Sequence, residues 1–160
     1  MSSFPRGSAA PKVPLSESAA ALKARALRLL ARREHSRDEL ARKLSPHAES
    51  PEILAGLLLE LESRKQLSNE RFAEQRAHTL ARKFGPARIR HDLKAKGVEG
   101  HLIDRVSGAS ELETARAILE RKYRAPAATR EERARRARFL QGRGFSSEVI
   151  HRLVLRELDE

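Results

Sequence analysis

Cysteine is absent from this 160-residue chain. Disulfides, thiolate nucleophiles, zinc ribbons and iron–sulfur clusters are therefore excluded, and the composition is compatible with a reducing, cytoplasmic setting. Tryptophan is also absent, and one tyrosine with five phenylalanines brings the aromatic share to 4%. Base-stacking platforms for single-stranded nucleic acid need several exposed rings, so the composition disfavours one. No stretch approaches the ~18 consecutive apolar residues of a membrane span. The opening, MSSFPRGSAAPKVPL, has no apolar core of the kind a secretory signal carries. Strand signals are missing as well: β-branched residues are scattered and no run alternates with period two.

Helix signals fill that space. The apolar set, mostly Leu, Ala, Ile and Val, makes up 39% of the chain and charged residues 34%, the balance of a folded, soluble protein. Ser36-Arg-Asp-Glu39, Ser110-Glu-Leu-Glu113 and Thr129-Arg-Glu-Glu132 read as capping boxes, in which a hydroxyl and a carboxylate satisfy free N–H groups at a helix start. Ser50-Pro51 and Gly85-Pro86 place proline at a first helical position. Gly97 and Gly144 follow apolar-periodic segments, where a left-handed residue ends a helix. These marks predict helices over about 18–34, 37–46, 51–66, 69–84, 86–96, 99–107, 111–124, 130–142 and 147–158. Each carries an apolar stripe, such as Ala73, Ala77, Leu80 and Phe84, or the broader Ile53, Leu54, Leu57, Leu58 and Leu61.

The helices recur in threes. Leu93, Gly97, Val98, Leu102, Ile103 and Val106 align at an offset of 47 with Leu140, Gly144, Phe145, Val149, Ile150 and Leu153. Leu44, Ile53, Leu54 and Leu57 precede Leu93, Leu102, Ile103 and Val106 by 49. The expected organisation is all-α: a disordered tail over 1–17, then three tandem three-helix repeats over 18–68, 69–109 and 110–160. Units this small need one another for stability. Three in a row would form an elongated, curved body on the order of 70 Å long.

Catalytic patterns are not found. The six histidines form no H-E-x-x-H and have no cysteine partner, and they read as helix-surface or capping residues. The glycines make no phosphate-binding loop. No catalytic residue, metal ligand or cofactor is expected. A helix-turn-helix over 37–46 and 51–66 fails because its second helix is a leucine-rich core helix bearing Glu52, Glu60 and Glu62, which phosphate would repel.

Charge carries the functional signal. Thirty-three basic against 22 acidic side chains leave a net charge of +11. Between 82 and 96, Arg82, Lys83, Arg88, Arg90, Lys94 and Lys96 face only Asp92. Between 130 and 143, six arginines, among them Arg133 and Arg136, face only Glu131 and Glu132. A solvated helix face is the plain reading of such runs. Their recurrence at equivalent places in an elongated repeat protein favours a long acidic partner.

The order of motifs resembles a known family. Leu29-Leu-Ala-Arg32-Arg33-Glu-His-Ser36-Arg-Asp-Glu-Leu40-Ala-Arg-Lys-Leu44 is similar to the first-unit signature of the bacterial RecX regulatory proteins. Leu67-Ser-Asn-Glu-Arg-Phe72-Ala73 resembles the second signature, and Lys83-Phe-Gly85-Pro86-Ala-Arg88-Ile89-Arg90-His-Asp-Leu93-Lys94-Ala-Lys96-Gly97-Val98 the third. Arg143-Gly144-Phe145 matches the family's ending, so the likeness covers about 25–158. It implies three tandem three-helix repeats and a monomeric regulator without enzyme activity. It implies binding to the filament of the recombinase RecA on single-stranded DNA, and restraint of its ATP hydrolysis, strand exchange and coprotease stimulation. DNA, single- or double-stranded, stays open as a further partner, and no membrane is involved. The matching positions Ser36, Leu40, Leu44, Phe72, Gly85, Pro86, Ile89, Gly97 and Gly144 read as caps and core. Arg32, Arg33, Arg82, Lys83, Arg88, Arg90, Lys94, Lys96, Arg133 and Arg136 are the candidate contacts. The alternative is a general basic DNA-binding protein without catalytic activity.

Overall fold

Serine and threonine start most of the helices. At Ser18, Ser36, Ser50, Ser68, Thr129 and Ser146 the side-chain oxygen accepts the backbone N–H three residues on, at 3.1–3.3 Å. The computed structural model describes residues 17–155. Among them the order is α1 (Ala19–Arg32), α2 (Arg37–Leu44) with a 3₁₀ turn (Ser45–His47), α3 (Pro51–Ser63), α4 (Asn69–Leu80), α5 (Pro86–Ala95), α6 (Gly100–Val106), α7 (Glu111–Lys122), α8 (Arg130–Gly142) and α9 (Ser147–Ile150), which runs on as a π-helical turn (His151–Leu155). No strand occurs among the described residues. The stretch read as a tail lies outside them except Glu17, whose N–H donates to the His47 carbonyl and whose carboxylate pairs with Arg25. The end of the last predicted helix, from 156, also lies outside them.

Three sets of buried side chains form separate cores. Leu22, Ala26, Leu40, Leu44, Leu57, Leu58, Leu61 and Leu67 meet in the first. Phe72, Ala73, Ala77, Ile89, Leu93, Val98, Leu102 and Ile103 meet in the second. Ala115, Ile118, Leu140, Phe145, Val149, Ile150 and Val154 meet in the third. No residue belongs to two cores, so each helix triplet packs about its own centre, as the threefold recurrence of apolar positions predicts. The predicted core residues Leu40, Leu44, Phe72 and Ile89 are all buried. On α3, Leu59 lies off the apolar stripe and stands 65% exposed.

Two of the three capping boxes need correction. Thr129 and Glu132 form a complete one. Ser36 caps α2, but the Glu39 carboxylate turns instead to Arg33. Ser110 makes no cap: it sits in the left-handed region at φ 57°, while Glu111 accepts the backbone N–H of Ser146 at 2.6 Å. The histidine reading also needs correction at His35, which is 1% exposed and inside the α1–α2 junction.

Gly97 and Gly144 adopt φ +75° and +90°, as helix-ending glycines should. Both also sit at a joint between triplets. A Cβ on Gly97 would lie 2.0 Å from Asp38 Oδ2, and one on Gly144 would lie 2.7 Å from the backbone nitrogen of Arg88. The helix-2 end of each later triplet is thus pressed against the helix-2 start of the one before it.

Candidate functional site

The ten predicted contact residues fall into four structural situations. Arg33 and Lys96 belong to the joint between the first and second triplets. Arg33 holds the Glu39 carboxylate with two hydrogen bonds, of 3.0 and 2.7 Å, and Lys96 approaches the same group at 4.0 Å. Glu39 is 9% exposed. Burial pushes its pKa up, but the Arg33 hydrogen bonds and the charges of Arg33, His35 and Lys96 outweigh that and leave it at about 2. Nearby, Arg76 grips Asp92 at 2.9 and 3.0 Å, and its hydrogen bond holds that carboxyl below the usual range. Arg33 and Lys96 thus both engage Glu39, although Arg33 remains 48% exposed and Lys96 half-buried. They line a half-open cavity of about 360 Å³ with Glu34, Phe72, Gln75, Arg76 and Thr79.

Arg90 is exposed but paired with Asp104 at 2.6 Å.

Arg32, Arg82, Lys83, Arg88 and Lys94 point into solvent. None has a carboxylate within 4.0 Å among the described residues. Arg32 ends α1, Arg82 and Lys83 lie in the α4–α5 connection, and Arg88 and Lys94 lie on α5. Arg88 lies over the Phe84 ring, 4.9 Å from its centroid.

In the third triplet, Arg133 is half-buried and its Nε is buried without a hydrogen-bond partner among the described residues. Arg136 lies over Tyr123 at 4.4 Å and donates to the Ala125 carbonyl at 2.6 Å. Charge counting missed Lys122, which lies over Phe139 at 4.0 Å, and counted Arg143 without its place over the same ring at 5.0 Å. A sequence signal exists for Arg143: Phe139 on α8 and Arg143 at its end are spaced four apart, which brings cation and ring to one face. Phe84, predicted on the stripe of a helix over 69–84, instead stands in the connection between α4 and α5.

The joint between the second and third triplets is built from main chain. The N–H of Gly85 donates to the Arg143 carbonyl at 2.7 Å, and that of Ala87 to the Gly144 carbonyl at 3.1 Å. Arg143 donates back to the Lys83 carbonyl at 3.2 Å, and Arg121 donates to that of Arg82. The predicted capping role of Gly85 is thus only part of its position, since a Cβ there would lie 2.5 Å from the Gly144 oxygen.

This succession of three helix triplets is what comparison with known proteins also returns. Models of the first, second and third three-helix domains of RecX match residues 23–53, 68–106 and 109–154. The chain belongs to the RecX family. The regulatory protein RecX of Ralstonia nicotianae is 45% identical over 149 residues, covering 91% of each chain. That of Herbaspirillum seropedicae is 46% identical over 143 residues, covering 88% of this chain and 90% of its own. The crystal structure of RecX from Lactobacillus salivarius superposes with a TM-score of 0.72 at 19% identity, covering 88% of this chain and 96% of that one. A second crystal structure of a regulatory protein RecX gives 0.70 at 22% identity, over 86% and 73%. At that identity the two structures speak for the fold. RecX proteins are regulators and not enzymes. No helix among the described residues is long and apolar enough to cross a membrane.

Proposed function

We propose that this chain binds the RecA filament on single-stranded DNA and restrains it, lowering its ATP hydrolysis, strand exchange and coprotease stimulation. RecX family membership across all three helix triplets carries the reading. The charge layout supports it. Arg32, Arg82, Lys83, Arg88 and Lys94 are exposed on the first two triplets without carboxylate partners among the described residues. Unpaired surface cations attract an acidic partner and add little to the stability of their own fold.

The test is RecA-dependent ATP hydrolysis on single-stranded DNA, titrated with the full chain, with a RecA pull-down in parallel. Wild type should inhibit at substoichiometric to stoichiometric amounts. Reversing Arg82, Lys83 and Lys94 to Glu should raise the concentration needed by about tenfold or more, whereas Arg28→Glu with Arg64→Glu should change it far less. A wild-type chain that neither inhibits nor is retained by RecA, or that hydrolyses ATP or DNA itself, would defeat the reading.

A further inference from the structure

A groove of about 250 Å³ opens along α3 on the first triplet. Ser45, Ala48, Pro51, Leu54, Ala55 and Leu58 line it. Leu59 stands one turn beyond Ala55 on the same helix face. It is 65% exposed, the one large apolar side chain left in solvent among the described residues.

The surroundings of this groove are acidic, although the chain carries a net charge of +11. α3 contains Glu52, Glu60 and Glu62 and no basic residue. Glu60 and Glu62 are paired with Lys23 and Arg37. Glu49, which lines the groove, and Glu52, next to Pro51, are exposed and have no cationic partner among the described residues.

The chain enters the fold beside the same groove. The Glu17 N–H donates to the His47 carbonyl at 2.8 Å, and the Glu17 carboxylate accepts from Arg25. Ala48, the residue after His47, already lines the groove.

We propose that residues 1–16 dock along α3 in this groove, with Val13 and Leu15 seated against Ala48, Leu54 and Ala55. The proposal does not rest on the filament reading.

Reach, pattern, charge and tether favour this occupant. Extended from Glu17, the chain brings Leu15 and Val13 up to about 7 and 13 Å away. The α3 face from Pro51 to Leu58 is about 10 Å long. Val13 and Leu15 are two apart, so an extended segment turns both to one side. Val13 precedes Pro14 and Ala10 precedes Pro11, and a residue before proline is biased to the extended region. Residues 1–16 contain Arg6 and Lys12 and no acidic side chain, the complement of a rim bearing Glu49 and Glu52. Attachment at Glu17 also makes the contact intramolecular, with an effective concentration on the order of mM, an advantage no separate basic chain has. A second copy is the poorer occupant. A symmetric pairing of this face would set its acidic rim against the same rim of the other copy.

The chain's lack of cysteine allows one nitroxide to be placed at will. The experiment attaches it to Ala10→Cys in the full-length, isotope-labelled chain and compares amide signals with the nitroxide oxidised and reduced. Seven residues let the label range up to about 23 Å from Glu17 in any direction unless the segment is docked. With docking, the amides of Leu54, Ala55, Leu58 and Leu59 should lose most of their intensity. Val13→Ser with Leu15→Ser should restore most of it. Ala55→Lys, at an exposed helix position, should do the same from the groove side by adding bulk and a like charge. It covers the case in which the serine variant loses native helicity. Ala24→Lys, exposed on α1, adds the same charge elsewhere and should leave the loss unchanged.

A loss absent from these amides, or equal in wild type and the two release variants, would overturn the proposal. So would an undiminished loss when the nitroxide and the isotope label are on different molecules, which would make the occupant a second copy. Poly-lysine supplies the remaining control. It should shift the α3 amides more in the serine variant than in wild type, and equal shifts would mean that the groove stands open to any basic chain.

Discussion

His35 shows how one side chain can be legible as chemistry and misread in place. Its ring is 1% exposed. Nδ1 lies 3.0 Å from the Arg33 carbonyl, which can only accept, so the proton sits on Nδ1. Nε2 is then free to accept from the Lys43 ammonium at 2.9 Å. Burial lowers the pKa below 6.5, and the Arg33 and Lys43 charges add to that, while the Arg33 carbonyl and Glu39 oppose it. The neutral form is therefore the folded form. Its contribution is complete above the unfolded value near 6.5 and is lost as pH falls through the lower folded value. Glu39 acts in another window, since its contribution is lost only below the ordinary carboxylate range, on the way down to about 2. The melting temperature should accordingly fall between pH 7.5 and 5.5, and His35→Gln, which can still donate to the carbonyl and accept from Lys43, should flatten that fall. Thermal melts at the two pH values read this directly. An unchanged decline in the variant would place the sensitivity elsewhere.

Among the helical elements, the same local pattern has three outcomes. At Thr129 both arms of the box form, with Glu132 accepting from the N–H groups of Ala128 at 2.6 Å and Thr129 at 3.3 Å. Thr129→Ala should cost about 1 kcal/mol. At Ser110 the backbone is left-handed and no cap exists. Ser110→Gly should therefore be neutral or stabilising by up to about 1 kcal/mol, the opposite of a lost cap. Denaturant melts of the two variants test the pair, and a loss of 1 kcal/mol or more at Ser110→Gly would contradict the assignment.

The contrast also marks what a sequence can carry. Helix positions, the repeat and the glycine stops were legible because caps, prolines and apolar spacing are local. The turn of Glu39 to Arg33 and of Glu111 to Ser146 was not, because each depends on a partner that folding supplies. The candidate site divides the same way. Basic runs revealed how much charge there was but not which charges were already spent. Arg33, Arg90 and Lys96 have carboxylate partners at 2.7, 2.6 and 4.0 Å, each contributed by another helix. Lys122 was hidden because it stands outside the two basic runs, and the significance of both Lys122 and Arg143 lies in the rings they cover.

For the molecule as a whole, the two joints between triplets differ in kind. The first relies on side chains: Arg71 pairs with Glu34 at 2.8 Å, Asn69 accepts the Arg37 N–H at 2.8 Å and donates to Glu99 at 3.1 Å, and Lys96 approaches Glu39. The second relies on the backbone bonds of Gly85 and Ala87 to Arg143 and Gly144. A side chain can re-orient around a small change, whereas paired main chains at contact distance cannot. Gly85→Ala is the sharpest test, because its Cβ would fall 2.5 Å from the Gly144 oxygen and 2.6 Å from the Phe145 nitrogen, both backbone atoms. The two chains must move apart, which breaks both hydrogen bonds and draws Arg143 off Phe84. We expect a loss of about 2 kcal/mol or more, faster amide exchange at residue 85 and Ala87, and weaker binding to whatever spans the second and third triplets. Arg71→Gln at the first joint should cost about 1 kcal/mol or less, since that pair is partly exposed and screened by salt. Hydrogen exchange resolved by residue separates the two. If Gly85→Ala left the amides of residue 85 and Ala87 as protected as in wild type, the backbone joint would not be what couples the last triplet to the middle one.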